Sequence, residues 1–173
     1  ATAIGSRLPT TDAVGSMIVD IGGGTAEVAV ISLSGIVASR SVRCAGDALD
    51  QSIIAFIKRK YNLLVGERTA EQIKIEIGSA CPQDPETSRA IKGRNRVDGL
   101  RKDILIRAEE VRDAMNDCLL RIVEAIKDTL ECTPPELSSD IIDRGIMLSG
   151  GGALLRGLDT LIQNETGIEV HIA

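Results

Sequence analysis

The stretch Ser16-Met-Ile-Val-Asp-Ile-Gly-Gly-Gly-Thr-Ala-Glu-Val-Ala-Val-Ile31 constrains the fold of this chain more than any other. An apolar run ends on Asp20, three glycines follow, and a second apolar run rich in β-branched residues begins after Thr25. That pattern predicts strand, tight loop, strand. Gly22, Gly23 and Gly24 accept positive φ angles and leave backbone N–H groups without side-chain cover, as a loop that cradles phosphate oxygens requires. Asp20 would repel a phosphate directly, but it can hold a Mg²⁺ ion, directly or through water, that meets one.

A glycine-rich hairpin without a ligand has the same local pattern, so a second stretch matters. Gly145-Ile-Met-Leu-Ser-Gly-Gly-Gly-Ala-Leu-Leu-Arg156 repeats the design: a strand, three glycines, then a helix start. Unpaired N–H groups and the positive end of a helix dipole would favour an anion there.

Asp20-Ile-Gly-Gly-Gly-Thr25 resembles the second phosphate loop of the actin, heat-shock chaperone and sugar kinase ATPase superfamily, and Leu148-Ser-Gly-Gly-Gly-Ala153 resembles its adenosine loop. Gly66-Glu-Arg-Thr-Ala-Glu-Gln-Ile-Lys-Ile-Glu-Ile-Gly-Ser-Ala80, Pro134-Pro-Glu-Leu137 and Asp143-Arg-Gly145 narrow the resemblance to the MreB-type bacterial actins. It extends over essentially the whole chain. The fold it implies is α/β, a ribonuclease-H-like core with an inserted small α+β subdomain. Residues 1–45 and 108–173 would form the inner subdomain and 46–107 the inserted outer one.

The same resemblance implies a site for ATP and Mg²⁺ in an interdomain cleft. Gly22, Gly23, Gly24 and Thr25 would hold the β- and γ-phosphates, and Asp20 would orient Mg²⁺ through water. Gly150, Gly151, Gly152 and Ala153 would press against the adenosine and α-phosphate. A helix carrying Glu71, Lys74 and Glu76 would close the other side. Thr25 would also help place the lytic water. Ala26 stands where many MreB-type sequences carry a second Thr, a departure that weakens this placement. The family's catalytic glutamate lies upstream of the segment resembling Ala3-Ile-Gly5, its first phosphate loop lies further upstream, and its closing helix would follow Ala173. One half of an actin-like molecule, hydrolysing little or no ATP alone, is therefore expected.

The partners implied are further copies, assembling into filaments that govern rod cell shape, and a membrane-anchored adaptor on the inner subdomain. Two other readings stand beside this one. One is a non-hydrolysing docking module of the same fold; the other is a chaperone or sugar-kinase relative, which the Thr69–Gly78 match disfavours.

Composition narrows the field. A net charge of −5 argues against general nucleic-acid binding, and one Phe, one Tyr and no Trp leave little for base stacking. No apolar run reaches the ~18 residues of a membrane span and no secretory leader opens the sequence, so a cytoplasmic protein without direct membrane contact is expected. By resemblance the parent protein would lie at the inner face of the membrane. Cys44, Cys81, Cys118 and Cys132 have neither Cys-x-x-Cys spacing nor a nearby histidine pair, and they are assigned no chemistry. His171 falls on the polar side of an alternating segment and is treated likewise.

Taken in order, Ala1 to Ser6 is helix-compatible and 8–15 reads as a loop. Strands are expected near 17–21, 26–32 and 36–43, with a tight turn at Ser34-Gly35. A helix follows from Gly46-Asp47 to about Asn62, with Leu49, Ile53 and Phe56 or Ile57 on one face and Lys58, Arg59 and Lys60 at its end. The next helix opens with Thr69-Ala-Glu-Gln72, a capping-box pattern, and places Ala70, Ile73, Ile77 and Ala80 on one face. On its other side Glu71 and Lys74 are three apart, the spacing of a surface ion pair as well as of two ligands.

Segments 87–93 and 102–107 read as a hairpin through Asp98-Gly99. It carries seven basic residues, from Arg89 to Arg107, against two acidic ones, Asp98 and Asp103, either as a solvated face or as a filament contact. From Ala108 a long helical stripe runs through Val111, Met115, Cys118 or Leu119, Ile122, Ile126 and Leu130. A short helix over 137–142, a strand over 145–149, an amphipathic helix through Leu154, Leu155, Leu158, Leu161 and Ile162, and a strand over 168–172 complete the chain.

Overall fold

A computed structural model describes residues 15–33 and 35–173. The expectations for residues 1–14, and for Ser34 in the tight turn, lie outside the described residues.

The elements run β1 (Ser16–Ile21), β2 (Ala26–Ser32), β3 (Gly35–Val42), α1 (Gly46–Tyr61), β4 (Leu63–Leu64), α2 (Glu67–Ile77), β5 (Ser88–Asn95), β6 (Arg101–Arg107), α3 (Ala108–Glu131), α4 (Pro135–Arg144), β7 (Ile146–Ser149), a 3-10 turn (Gly151–Leu154), α5 (Leu158–Thr166) and β8 (Val170–Ile172). Two sheets result. One has five strands in the order β3-β2-β1-β7-β8; the other has three, β4-β5-β6.

In the large sheet β1, β2 and β3 form an antiparallel meander, while β7 lies parallel to β1 and β8 parallel to β7. Met17, Ile18 and Val19 are all buried, although successive side chains point to opposite faces. Central strand β1 is therefore covered on both sides, as its unbroken apolar run requires. Helix α3 packs across β2 and β3, and α4 packs against β1. Two features of the fold place the glycine triplets together. Asp20 is paired with Ser149 across the parallel β1–β7 ladder, and a glycine triplet follows each strand.

The small sheet is the hairpin β5–β6 with β4 added to its edge. Gly99 has φ +73° in the β5–β6 turn, which accounts for the glycine after Asp98. Strand β4 is only two residues long and has no periodicity of its own. Its trace is Gly93, where a Cβ would stand 2.6 Å from Leu64 O.

The stripes behave as expected. Leu49, Ile53 and Ile57 are buried on α1, while Phe56 is half-buried beside them. On α3 both Cys118 and Leu119 are buried together with Val111, Met115, Ile122 and Ile126. One contiguous core links these helices to both sheets.

Three boundaries differ from the periodicity. Helix α2 begins at Glu67 with Gly66 as N-cap and makes no side-chain cap hydrogen bond, so Thr69 lies inside the first turn rather than at the cap. Helix α4 begins at Pro135, because the missing N–H of proline costs nothing at the first helical position. From Gly151, inside the second glycine triplet, the chain makes a single 3-10 turn rather than an α-helix. Gly157 at φ +76° breaks the chain before α5, and Arg156 pairs with Ser79 and Ala80 instead of continuing a helix. No helix among the described residues is long and apolar enough to cross a membrane.

Candidate functional site

The loop between β1 and β2 closes on itself through Gly22 N–H to Thr25 O at 3.0 Å. Its first two carbonyls are turned toward the start of α1. Gly46 N–H donates to Gly22 O at 3.0 Å and Asp47 N–H donates to Gly23 O at 2.8 Å. With the carbonyls so engaged, the amides of Gly23 and Gly24 donate to no backbone group among the described residues. Gly24 has open space where a Cβ would be, and at Gly23 a Cβ would stand 3.6 Å from the Asp47 carboxylate.

The second triplet is built differently at each position. Gly150 has φ +87°, and a Cβ there would collide with Ile21 O and stand 2.7 Å from Asp20 Oδ1. A Cβ on Gly152 would overlap Ile21 Cγ2. Both glycines thus answer to the close approach of this loop to β1. Gly151 has nothing within 4 Å. No neighbour in the chain therefore restricts Gly24 in the first loop or Gly151 in the second.

A cleft of about 470 Å³ opens between the loops, bounded by Gly22, Gly23, Gly151 and Gly152, by the start of α1, and by one face of α2. Glu71 and Lys74 both line it. Lys74 Nζ lies 2.8 Å from Asp50 Oδ1 and donates to Gly46 O at 3.2 Å. Glu76 does not line the cleft: its carboxylate pairs with Arg89 at 3.1 Å, on the hairpin side of α2. Asp20 sits at the end of β1, accepting from Ser149 Oγ at 3.4 Å, behind the lining. Thr25 is exposed beyond the cleft edge and Ala153 is a core residue. Among the described residues no three metal-ligating side chains cluster, so a Mg²⁺ ion here would depend on ligand oxygens as well as Asp20.

Other cleft residues escaped the sequence reading. Ile75 and Leu154 line it and are 61% and 78% exposed, two apolar side chains on a wet wall. Ile75 carried a usable signal, being apolar on the face of α2 opposite the buried stripe. Arg156 carried none: its guanidinium donates to Glu76 O at 3.0 Å and Gly78 O at 3.4 Å, tying the second loop to the end of α2.

Outside the cleft, the four cysteines are free thiols, and His171 is exposed on β8, 4.0 Å from Glu169. On the hairpin, Arg89 and Lys102 are engaged by Glu76 and by Tyr61 O, Arg101 pairs with Asp103 and Arg107 with Glu109 and Glu110, and Lys92, Arg94 and Arg96 are exposed.

A meander of three strands continued by two parallel ones, with glycine triplets after β1 and β7 meeting at one cleft, defines an actin-like α/β fold of the ribonuclease-H-like type. MreB5 of Spiroplasma citri, in a crystal structure bound to AMPPNP, superposes with a TM-score of 0.95 at 39% identity, over 99% of this chain and 51% of that one. The MamK double helical filament shares the fold at a TM-score of 0.68 and 21% identity, over 91% of this chain and 49% of that one. The family model described as MreB/Mbl protein matches residues 1–173, and the chain belongs to the MreB/Mbl family. It is 52% identical to the cell shape-determining protein MreB of Escherichia coli K12 over 173 residues, all of this chain and 50% of that protein. It is 48% identical to the cell shape-determining protein Mbl of Bacillus subtilis 168 over 171 residues, 99% of this chain and 51% of that protein. The chain thus spans about half the length of the curated relatives it matches.

Proposed function

We propose that the intact protein is an actin-like cytoskeletal ATPase of the cytoplasm that polymerises into filaments and governs rod cell shape, with this chain supplying one side of an ATP–Mg²⁺ cleft. The observation that carries the reading is one cleft walled by both glycine loops, Gly22 and Gly23 on one side and Gly151 and Gly152 on the other, with open space where a Cβ would stand at Gly24 and Gly151. A loop whose carbonyls are bonded away presents amides to phosphate oxygens. Gly22 to Thr25 take the β- and γ-phosphates. Asp47 on the cleft wall and Asp20 behind the lining call for a cation beside the phosphates, and Mg²⁺ supplies it.

Gly150 to Ala153 form the opposite lip toward the adenosine and α-phosphate. Ile75 and Leu154 offer apolar faces to a flat ring, and Glu71 reaches the ribose hydroxyls beside Lys74. Residues 1–45 and 108–173 act as the inner subdomain and 46–107 as the outer one, whose basic hairpin meets the next copy in the filament. A membrane-anchored adaptor docks on the inner subdomain and brings the filament to the inner face of the membrane. Nucleic acid has no place in this scheme. Thr25 helps to place the lytic water, and the 173-residue chain alone hydrolyses little or nothing.

Calorimetric titration with Mg-ATP tests the site, using the wild-type chain beside Gly24→Val and Gly151→Val. These positions are chosen over Gly150 because a side chain at Gly150 meets the protein before it meets a ligand. Binding with a Kd of ~0.1–1 mM, lost in both variants, is the expected result. A folded wild-type chain that binds no nucleotide would instead favour the docking-module reading.

A further inference from the structure

Two thiols distant in sequence meet in the core, away from the nucleotide cleft. Cys44 follows strand β3 and is 4% exposed; Cys118 lies on the buried stripe of α3 and is 7% exposed. The Cys118 thiol is in hydrogen-bond contact with the Cys44 thiol. One turn further along α3, Arg121 places its Nη1 3.8 Å from Cys44 Sγ. The same Arg121 lines a groove of about 430 Å³ between β3 and α3, together with Ser39, Ser41 and Glu124. A guanidinium therefore stands between an open groove and a covered sulfur that has a second sulfur beside it.

We propose that Cys44 and Cys118 are a peroxide-oxidised thiol pair: hydrogen peroxide reaches Cys44 through the β3–α3 groove, and Cys118 then closes a disulfide with it. Burial keeps bulky reagents out, whereas hydrogen peroxide is small enough to follow the groove to Arg121. In the first step the Cys44 sulfur attacks one peroxide oxygen. An S–O bond forms, the O–O bond breaks, and the second oxygen leaves as water with the thiol proton. Sulfur is oxidised to a sulfenic acid as the peroxide is reduced. The Arg121 guanidinium stabilises the negative charge that develops on the leaving oxygen. In the second step the Cys118 sulfur displaces the hydroxyl. An S–S bond forms, the S–O bond breaks, and the hydroxyl leaves as water with the Cys118 proton. Burial keeps Cys118 protonated and slow toward external reagents, but its contact with Cys44 gives it a high effective concentration for this step.

The test treats the intact, folded protein with hydrogen peroxide, blocks the remaining thiols in denaturant and maps peptides by mass spectrometry without reduction. A Cys44–Cys118 cross-link, reversed by a dithiol reductant and formed ~10-fold faster in the folded protein than in urea, is the expected product. Exposed Cys132, with Arg40 Nη2 4.0 Å from its sulfur, serves as the internal reference for oxidation at the surface. Cys118→Ala is expected to stop at a Cys44 sulfenic acid that dimedone captures on unfolding, and Cys44→Ser to leave Cys118 reduced. Arg121→Met should slow cross-linking by ~10-fold. The oxidised protein should unfold at higher urea than the reduced one, because a bond closed between thiols already in contact constrains the unfolded chain more than it strains the native one. A cross-link that forms only in urea, or that joins either residue to Cys81 or Cys132 instead, would overturn the pairing. A sulfenic acid on Cys118 in Cys44→Ser would overturn the order of the steps, and an unchanged rate in Arg121→Met the role of the guanidinium. A lower urea midpoint after oxidation would show that the two thiols are not placed for the bond. If Cys118→Ala does not fold, the wild-type cross-link and Arg121→Met decide alone.

Discussion

Gly152 packs directly against Ile21, so that a methyl group on its Cα would overlap Ile21 Cγ2. Ile21 is fully buried at the end of β1 and cannot move aside without disturbing the core. Gly152→Ala is therefore expected to destabilise the fold by about 1–3 kcal/mol through overpacking. Gly151→Ala, with nothing within 4 Å, should change stability by less than about 0.5 kcal/mol. Urea unfolding of the two variants measures the contrast. Equal destabilisation would refute the assignment of one glycine to packing and the other to open space.

Glu110, buried at the first turn of α3, accepts hydrogen bonds from Lys60 Nζ, Tyr61 Oη and the Arg107 backbone and guanidinium. Burial pushes its carboxyl up, but the bonds from Lys60, Tyr61 and Arg107 together outweigh burial and lower the pKa from 4.5 to about 2. A depressed folded value means stability that is present above the unfolded value and lost as pH falls from about 4.5 toward 2, worth on the order of 3 kcal/mol. Glu110→Gln should thus cost about 2–3 kcal/mol at pH 7 and progressively less below pH 4.5. Denaturant midpoints across that range check the sign. A penalty independent of pH would show that the charge is not what matters.

Burial first, and then contact with the Cys44 thiol, push Cys118 up to about 12. A thiol so protonated and so covered is a poor nucleophile at neutral pH. Iodoacetamide at pH 7.5 should label exposed Cys132 within minutes, and Cys44 and Cys118 only after unfolding. Peptide mapping by mass spectrometry follows each site. Rapid native labelling of Cys118 would contradict its place in the core.

Thr69 sits inside the first turn of α2 and supplies no cap. Thr69→Ala should therefore alter stability by under about 0.5 kcal/mol, where loss of a true N-cap costs about 1. Gly66→Ser, at the position that does cap the helix, should stabilise by a few tenths of a kcal/mol, since Gly66 is extended and a Cβ there meets nothing. Thermal melts of the two variants separate the alternatives.

Much of the architecture was legible because it is local. The run through Asp20 and the three glycines specify strand and loop over a few residues, and the stripes from Leu49 to Ile57 and from Val111 to Ile126 specify buried helix faces. The starts of α2 and α4 were missed on local capping detail, but other features were missed because a distant partner decides. Arg156 joins the Ser79–Ala80 backbone instead of extending a helix, and the two residues of β4 become a strand only because Asn95 and Arg94 are beside them.

For the candidate site the division follows the same physics. The resemblance carried by the two glycine motifs and the 66–80 motif implied that both glycine loops and the helix between them belong to one cleft, and both loops and α2 do line one. At about 100° per residue, Glu71 and Glu76 stand about 140° apart on α2, so they could not share a face, but helical spacing does not say which face meets the cleft. Packing of α2 against α1 turned Glu71 and Lys74 inward and left Glu76 to Arg89. The same packing made an unremarkable i, i+3 pair into something else, bringing Lys74 to Asp50 and Gly46, whose separation along the chain no local pattern can bridge. Backbone conformation is written in nearest-neighbour chemistry; the pairing of buried charges is written only in the folded contacts.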